Sequence, residues 1–184
     1  MFSGLSKHYP PYLELIPICL FIFAWSYAFG QYGHLPDSIP THFDFSGAPD
    51  AWSEKGFVSV FLLPLIGTLI YILDFVITLF IIKSKDPLKH INLPMPKTDL
   101  QNTALAERIR TATVRFMYAL NVSLAVLFAY LTYASIEAGL GNAEGVNSIL
   151  LFLLIGIFML LTIGFMIKIT GIQTEATTQT KGKR

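Results

Sequence analysis

The chain has 184 residues, 53% of them apolar, 14% aromatic and only 14% charged, against roughly 25% charged in a typical soluble domain. With a mean hydropathy of +0.58, so short a chain has no core large enough to hide its apolar residues from water, which excludes the soluble enzyme classes. The net charge of +1 offers no basic surplus for nucleic acid, and the single cysteine, Cys19, excludes an internal disulfide and a cysteine-cluster metal site.

Taken in chain order, a short N-terminal tail with Lys7, His8 and Glu14 precedes a first uncharged window at 15–33. At about 1.5 Å per residue this window just crosses a hydrocarbon core of about 30 Å. It is too long and too aromatic for a cleaved signal peptide. His8 and Glu14 are expected at headgroup level, and Cys19 as an inert apolar residue. A connection at 34–56 leads to a second window, 57–82, whose only charge is Asp74. Pro64 is expected to bend it, since proline lacks an N–H and crowds the carbonyl four residues back.

The connection 83–115 holds seven Lys and Arg residues with Pro87, Pro94 and Pro96. Its first part reads as an irregular loop, and Thr98 or Asp99 reads as the cap of a helix running on into the third window, 116–136. That window carries Asn121, and Ala119 with Ser123 gives a small-xxx-small spacing. The fourth window, 148–167, is uncharged, and 171–184 reads as a flexible tail. Each window must close its own backbone hydrogen bonds in hydrocarbon, so all four are expected as helices. The expected fold is an all-α, four-span membrane helix bundle forming one domain over 1–170.

Orientation follows from the basic residues. Twelve of the thirteen Lys and Arg fall in the N-terminal tail, the 83–115 connection and the C-terminal segment, whereas the connections 34–56 and 137–147 hold only Lys55 and six acids. The positive-inside rule places both termini and the central connection in the cytoplasm, with the acidic connections outside a prokaryotic cytoplasmic membrane.

The specific content lies in LPDSIPTHFDFSGAPDAWSEKG, residues 35–56. Pro36, Pro40 and Pro49 restrict the backbone, and Ser46 to Asp50 reads as a tight turn with Gly47 at positive φ. Asp50 reads as the cap of a short helix through Trp52 and Ser53. Ile39, Phe43, Phe45 and Trp52 give the segment an apolar side, so it is expected as a small ordered cap on the span ends. Leu35-Pro36, Ile39-Pro40-Thr41-His42-Phe43, Gly47, Pro49-Asp50, Trp52 and Lys55 resemble the LPxxIPxHFxxxGxPDxWxxK signature of the domain of unknown function numbered 1648. The resemblance covers about residues 15–80. It implies a prokaryotic membrane protein related to the N-terminal part of SdpI-like immunity and signalling proteins, although the third and fourth windows show no SdpI-type motif.

His42 lies among His34, Asp37, Asp44, Asp50 and Glu54. The residue types suit zinc, with His34, His42 and Asp44 as candidates, but the spacing matches no metal motif. The alternatives are a histidine that stitches the loop together by hydrogen bonds and one that contacts an external ligand. Asp74, about 12 Å inside its span end by helical rise, reads as a polar clamp to Arg115 or Asn121, or as an ion or proton site. No phosphate loop, catalytic carboxylate pair or nucleophile motif is present, so neither catalysis nor a cofactor is expected. The leading functional expectation is recognition, immunity or signalling at the outer face. The alternatives are an accessory subunit of a larger membrane complex and a small transporter using Asp74. Expected partners are the bilayer, other membrane helices, or an external protein or peptide, and not nucleic acid.

Overall fold

The computed structural model describes residues 2–85 and 103–181. The expected proline-rich loop around Pro87, Pro94 and Pro96, and the cap at Thr98 or Asp99, lie outside the described residues. A short helix α1 (Phe2–Leu5) and a 3₁₀ turn (Pro11–Glu14) lead into α2 (Leu15–Tyr32). Strands β1 (Ser38–Phe43) and β2 (Pro49–Glu54) follow, then the long helices α3 (Phe57–Lys83), α4 (Thr103–Gly139) and α5 (Ser148–Lys181). Among the described residues four helical segments, Pro11–Tyr32, Phe57–Lys83, Thr103–Gly139 and Ser148–Ala176, are long and apolar enough to cross a membrane. The chain is a mostly helical, multi-pass membrane protein.

Two differences from the sequence reading concern regular structure. The all-α expectation is corrected by the β1–β2 hairpin, which occupies the place of the expected cap helix at Asp50–Ser53. In addition, α5 continues as helix to Lys181, past Thr174, where a polar composition without apolar periodicity reads as an irregular tail. Along this extension Thr170, Thr174 and Thr178 donate their hydroxyls to the carbonyls of Met166, Thr170 and Thr174 at 2.9, 2.9 and 3.0 Å. These threonines therefore satisfy their hydroxyls on the helix itself rather than competing with it.

The chain forms two compact units. Residues 1–13, 74–120 and 159–184 make one, here the termini unit, and residues 14–73 and 121–158 make the other, the hairpin unit. In the termini unit, Leu5, Tyr9, Ile81, Val114 and Met117 form one buried cluster, and Leu105, Ala106, Ile109, Ala112, Ile169 and Ile172 form another. Tyr9 stacks on Tyr118 at 4.7 Å, and Phe116 lies parallel to Phe165 at 4.1 Å. Arg110 donates to the Ser84 carbonyl at 2.6 Å.

In the hairpin unit, Phe61 is a hub of aromatic packing, with Trp25, Phe29, Tyr32 and Phe57 at centroid distances of 5.8, 4.5, 5.6 and 4.9 Å. Gly67 makes room for this packing to continue, since a Cβ there would lie 2.6 Å from Phe128 and 2.8 Å from Phe21. Pro64 is fully buried inside α3. Its carbonyl accepts the Thr68 hydroxyl at 2.7 Å, and Thr68 in turn accepts the Trp25 indole N–H at 3.0 Å. Glu14 is buried and accepts the Tyr71 hydroxyl at 2.9 Å.

The helix starts beside the hairpin are capped. Gly56 N–H donates to Ser59 Oγ at 2.8 Å, the third helical residue reaching back to the cap. At α5, Asn147 Oδ1 accepts the Leu150 N–H at 3.0 Å, a side-chain cap that accounts for the helix beginning at Ser148.

Candidate functional site

The hairpin is built by its turn. Asp44 Oδ1 accepts the Ser46 N–H at 2.8 Å, the Ser46 hydroxyl at 2.6 Å and the Ala48 N–H at 3.0 Å. The backbone adds Asp44 N–H to the Ala48 carbonyl and Gly47 N–H to the Asp44 carbonyl, both at 2.9 Å. Gly47 has φ of 88°, a left-handed conformation that side chains disfavour. The expected positive φ at Gly47 is present, but the turn runs over Asp44–Ala48 rather than Ser46–Asp50. Donation from Ser46, above all from its hydroxyl, holds the Asp44 carboxyl below the usual aspartate range.

With the turn fixed, the two strands pair Ser38 with Glu54, Ile39 with Ser53, Pro40 with Trp52, His42 with Ala51, and Phe43 with Pro49. Thr41 and Asp50 are the extra residues, one on each strand, at two irregularities of the ladder. Such bulges re-aim side chains. Here the result is that His42 Nδ1 and Asp50 Oδ1 form a hydrogen-bonded pair across the hairpin. Thr41 and Ser53 hydroxyls meet at 3.1 Å. Pro40 and Pro49 fit because a two-stranded sheet has only edges and Pro49 begins its strand.

The base of the hairpin is closed by Lys55. Its N–H donates to the Asp37 carbonyl at 2.7 Å, and its Nζ donates to the Leu35 carbonyl at 2.7 Å while lying 5.8 Å from the Tyr32 ring. Leu35 and Ile39 are buried with Ala28, Val60, Phe61 and Ile136, which ties the hairpin to its unit. Phe45 and Trp52 remain exposed. Of the expected apolar side, therefore, only Ile39 and part of Phe43 are covered by protein, and Leu35 joins them.

The motif residues open onto a cavity of about 790 Å³ within the hairpin unit. Pro40, His42, Phe43, Asp44, Gly47 and Glu54 border it from the hairpin. Phe57, Ser59, Leu62 and Leu63 come from α3, Leu131 and Ser135 from α4, and Val146 and Leu151 from the far connection and α5. Its size and its balance of apolar wall and few polar groups are those of ligand sites. The sequence reading missed Leu131, Ser135, Val146 and Leu151. They lie 76 or more residues beyond Lys55, the last motif residue, in or beside apolar spans where one Leu or Ser looks like any other.

The metal candidates do not converge. Among the described residues no group of three His, Cys, Asp or Glu side chains is placed to hold a metal ion, so His34, His42 and Asp44 form no joint ligand set. Of the intramembrane polar residues, Arg115 donates its Nε–H to the His8 carbonyl at 2.7 Å, a role in holding the N-terminal segment that spacing did not indicate. His8 itself is buried, with Nδ1 3.0 Å from the Thr111 hydroxyl, and burial lowers its pKa below the ordinary 6.5. Asp74 is half-buried on α3 in the termini unit. Asn121, in the hairpin unit, is 2% exposed, and its Oδ1 has no hydrogen-bond partner among the described residues.

No curated protein and no solved structure matches the chain. Residues 19–68, which take in most of α2, both strands of the hairpin and the first part of α3, match the family model described as a domain of unknown function, DUF1648, and the chain carries that domain.

Proposed function

We propose that the protein is a non-catalytic recognition protein of a prokaryotic cytoplasmic membrane, with its hairpin outside, both termini in the cytoplasm, and the hairpin cavity as its binding site. One observation carries this reading. Signature residues, Pro40, His42, Phe43 and Gly47 among them, border a cavity whose other walls come from the adjoining α3 and from Leu131, Ser135, Val146 and Leu151, which are remote in sequence. A connection that only joined two spans has no need of such a chamber. The charge asymmetry supports the orientation, since Lys55 is the single basic residue in the two acidic connections. The likeness of the hairpin string to the N-terminal part of SdpI-like proteins supports an immunity or signalling role.

The accessory-subunit reading has its own support. The most apolar 18-residue window of α5 contains no buried residue, a full helical face on which a partner's helices could pack.

A photo-crosslinking amino acid at Ser135, in the cavity wall, separates the two in native membranes. Recognition predicts a discrete adduct that disappears when Leu131→Trp fills the cavity. The absence of any adduct, or an adduct indifferent to filling, defeats the reading. A membrane subunit that copurifies in fixed ratio whether or not the cavity is filled establishes the accessory role instead.

A further inference from the structure

We infer that the hairpin cavity binds a bilayer lipid with a primary ammonium headgroup, the acyl chain entering between the helices and the ammonium meeting the carboxylates of Asp44 and Glu54. This rests on the recognition reading and names the ligand class for the same cavity. Three observations carry it.

The cavity is open to the membrane. Phe57, Val58 and Leu62 line it, yet they are 57%, 67% and 44% exposed on a helix apolar enough to cross a bilayer. Hydrocarbon is therefore continuous with the chamber, and a chain can enter sideways without passing through water. The far walls are mainly apolar too, with Leu131, Val146 and Leu151 beside the single hydroxyl of Ser135, and offer little to a polar solute.

The mouth carries negative charge without compensation. Asp44 and Glu54 border the cavity, and among the described residues no Lys or Arg does. The nearest cation in sequence, Lys55, is spent on the Leu35 carbonyl and the Tyr32 ring. His42 is held by Asp50, itself an acid. Such a mouth repels an anionic headgroup and attracts a cationic one.

The polar groups left over are the right ones. Thr41 and Ser53 satisfy each other, and Ser59 is engaged by the Glu54 and Gly56 carbonyls and the Gly56 N–H. Asp44 spends Oδ1 on the turn, and the carboxylates of both Asp44 and Glu54 are exposed where they border the cavity. A primary ammonium has three N–H donors to offer them, which a trimethylated head lacks.

The test uses the full chain in nanodiscs with phosphatidylethanolamine or phosphatidylglycerol carrying the same diazirine-labelled chain, and maps adducts by mass spectrometry. The expected result is labelling near Leu131 and Leu151 by the ethanolamine lipid, roughly tenfold above the glycerol lipid, the discrimination of one charge-assisted contact. Labelling near the lipid-exposed Cys19 serves as the surface control and should not discriminate. The combined Asp44→Asn and Glu54→Gln substitutions keep an acceptor for the turn and should abolish the preference. Equal labelling by the two lipids, no labelling of the cavity walls, or a preference that survives both substitutions overturns the inference. If the Ser135 crosslinker captures a peptide or protein in a filling-sensitive manner while the ethanolamine lipid leaves the walls unlabelled, the lipid inference fails and the recognition reading stands.

Discussion

Gly47 and Val146 meet backbone to backbone, although ninety-nine positions separate them. The Val146 N–H donates to the Gly47 carbonyl at 2.9 Å, and a Cβ built on Gly47 would lie 1.8 Å from the Val146 carbonyl oxygen. Gly145 repeats the constraint from the other side, since its Cβ would lie 2.0 Å from the Gly47 oxygen. The hairpin turn is therefore fastened to the α4–α5 connection at a point where neither chain can carry a side chain. One wall of the cavity follows from that fastening.

Substitution at Gly47 should separate close approach from backbone conformation. Gly141 also has positive φ, 77°, but nothing lies within 4 Å of its Cβ position. Gly141→Ala is expected to cost only the left-handed penalty, about 1 to 2 kcal/mol. Gly47→Ala must add the displacement of the 145–146 backbone and should cost clearly more, with thermal denaturation in detergent as the measure. Equal losses at the two sites would mean that the turn and the far connection are not fastened in solution.

How much of this was legible in the sequence depends on the physical reach of each signal. The spans were, because hydrocarbon leaves an apolar run of this length one way to satisfy its backbone. Gly47 at positive φ was, because a Ser-Gly-Ala-Pro-Asp string reads as a turn in which glycine alone takes that conformation freely. The hairpin was not. Trp52 and Ser53 after a potential cap at Asp50 read as a helix start, and nothing local reveals that the Asp44 side chain would close a turn six residues earlier and present β2 with a strand to pair with. The role of Lys55 was equally hidden, since the carbonyl it satisfies lies twenty residues away. The contact from Arg115 to the His8 carbonyl was hidden in the same way, because the two residues lie far apart in sequence and their meeting leaves no periodic trace.

Acid should weaken the protein through His8. Its folded pKa is depressed below 6.5, first by burial and then by Arg110, Arg115 and Lys7, with Glu107 opposing. Below pH 6.5 the unfolded chain takes up a proton that the folded chain resists, so the unfolded state binds more protons and stability falls with pH. The loss begins near 6.5 and levels off once the depressed folded pKa is passed. His8→Asn keeps an acceptor facing Thr111 and removes the titration. The difference in melting temperature between about pH 7.5 and about pH 5.5 should therefore shrink in this variant, across the range where only histidine changes charge at its ordinary pKa. An unchanged difference would assign the acid sensitivity to another group.

Topology is open to direct labelling. In a Cys19-free background, single cysteines at Ser46 in the hairpin turn and Asn142 in the α4–α5 connection should react with an impermeant thiol reagent in intact cells. One at Thr178, exposed on the extension of α5, should react only after permeabilisation. Labelling at Thr178 in sealed cells would reverse the orientation derived from the basic residues.

The His42–Asp50 pair decides whether the hairpin is ordered for its own sake or for a ligand. The pair is well exposed, with side-chain exposures of 68% and 45%, and exposed pairs contribute about 0 to 1 kcal/mol. The turn does not depend on it, because Asp44, Ser46, Gly47 and Ala48 close the chain among themselves. The base does not depend on it either, because Lys55 and the buried Leu35 and Ile39 hold that end. His42→Ala should therefore leave the melting temperature nearly unchanged while weakening occupancy of the cavity that His42 borders, read as loss of the filling-sensitive adduct from Ser135. Asp50→Asn, which keeps a hydrogen-bond acceptor for the imidazole, should do less. If His42→Ala destabilises the protein by more than about 1 kcal/mol, beyond what an exposed pair supplies, the histidine is holding the hairpin. If the variant is stable and its adduct is undiminished, His42 has no part in recognition.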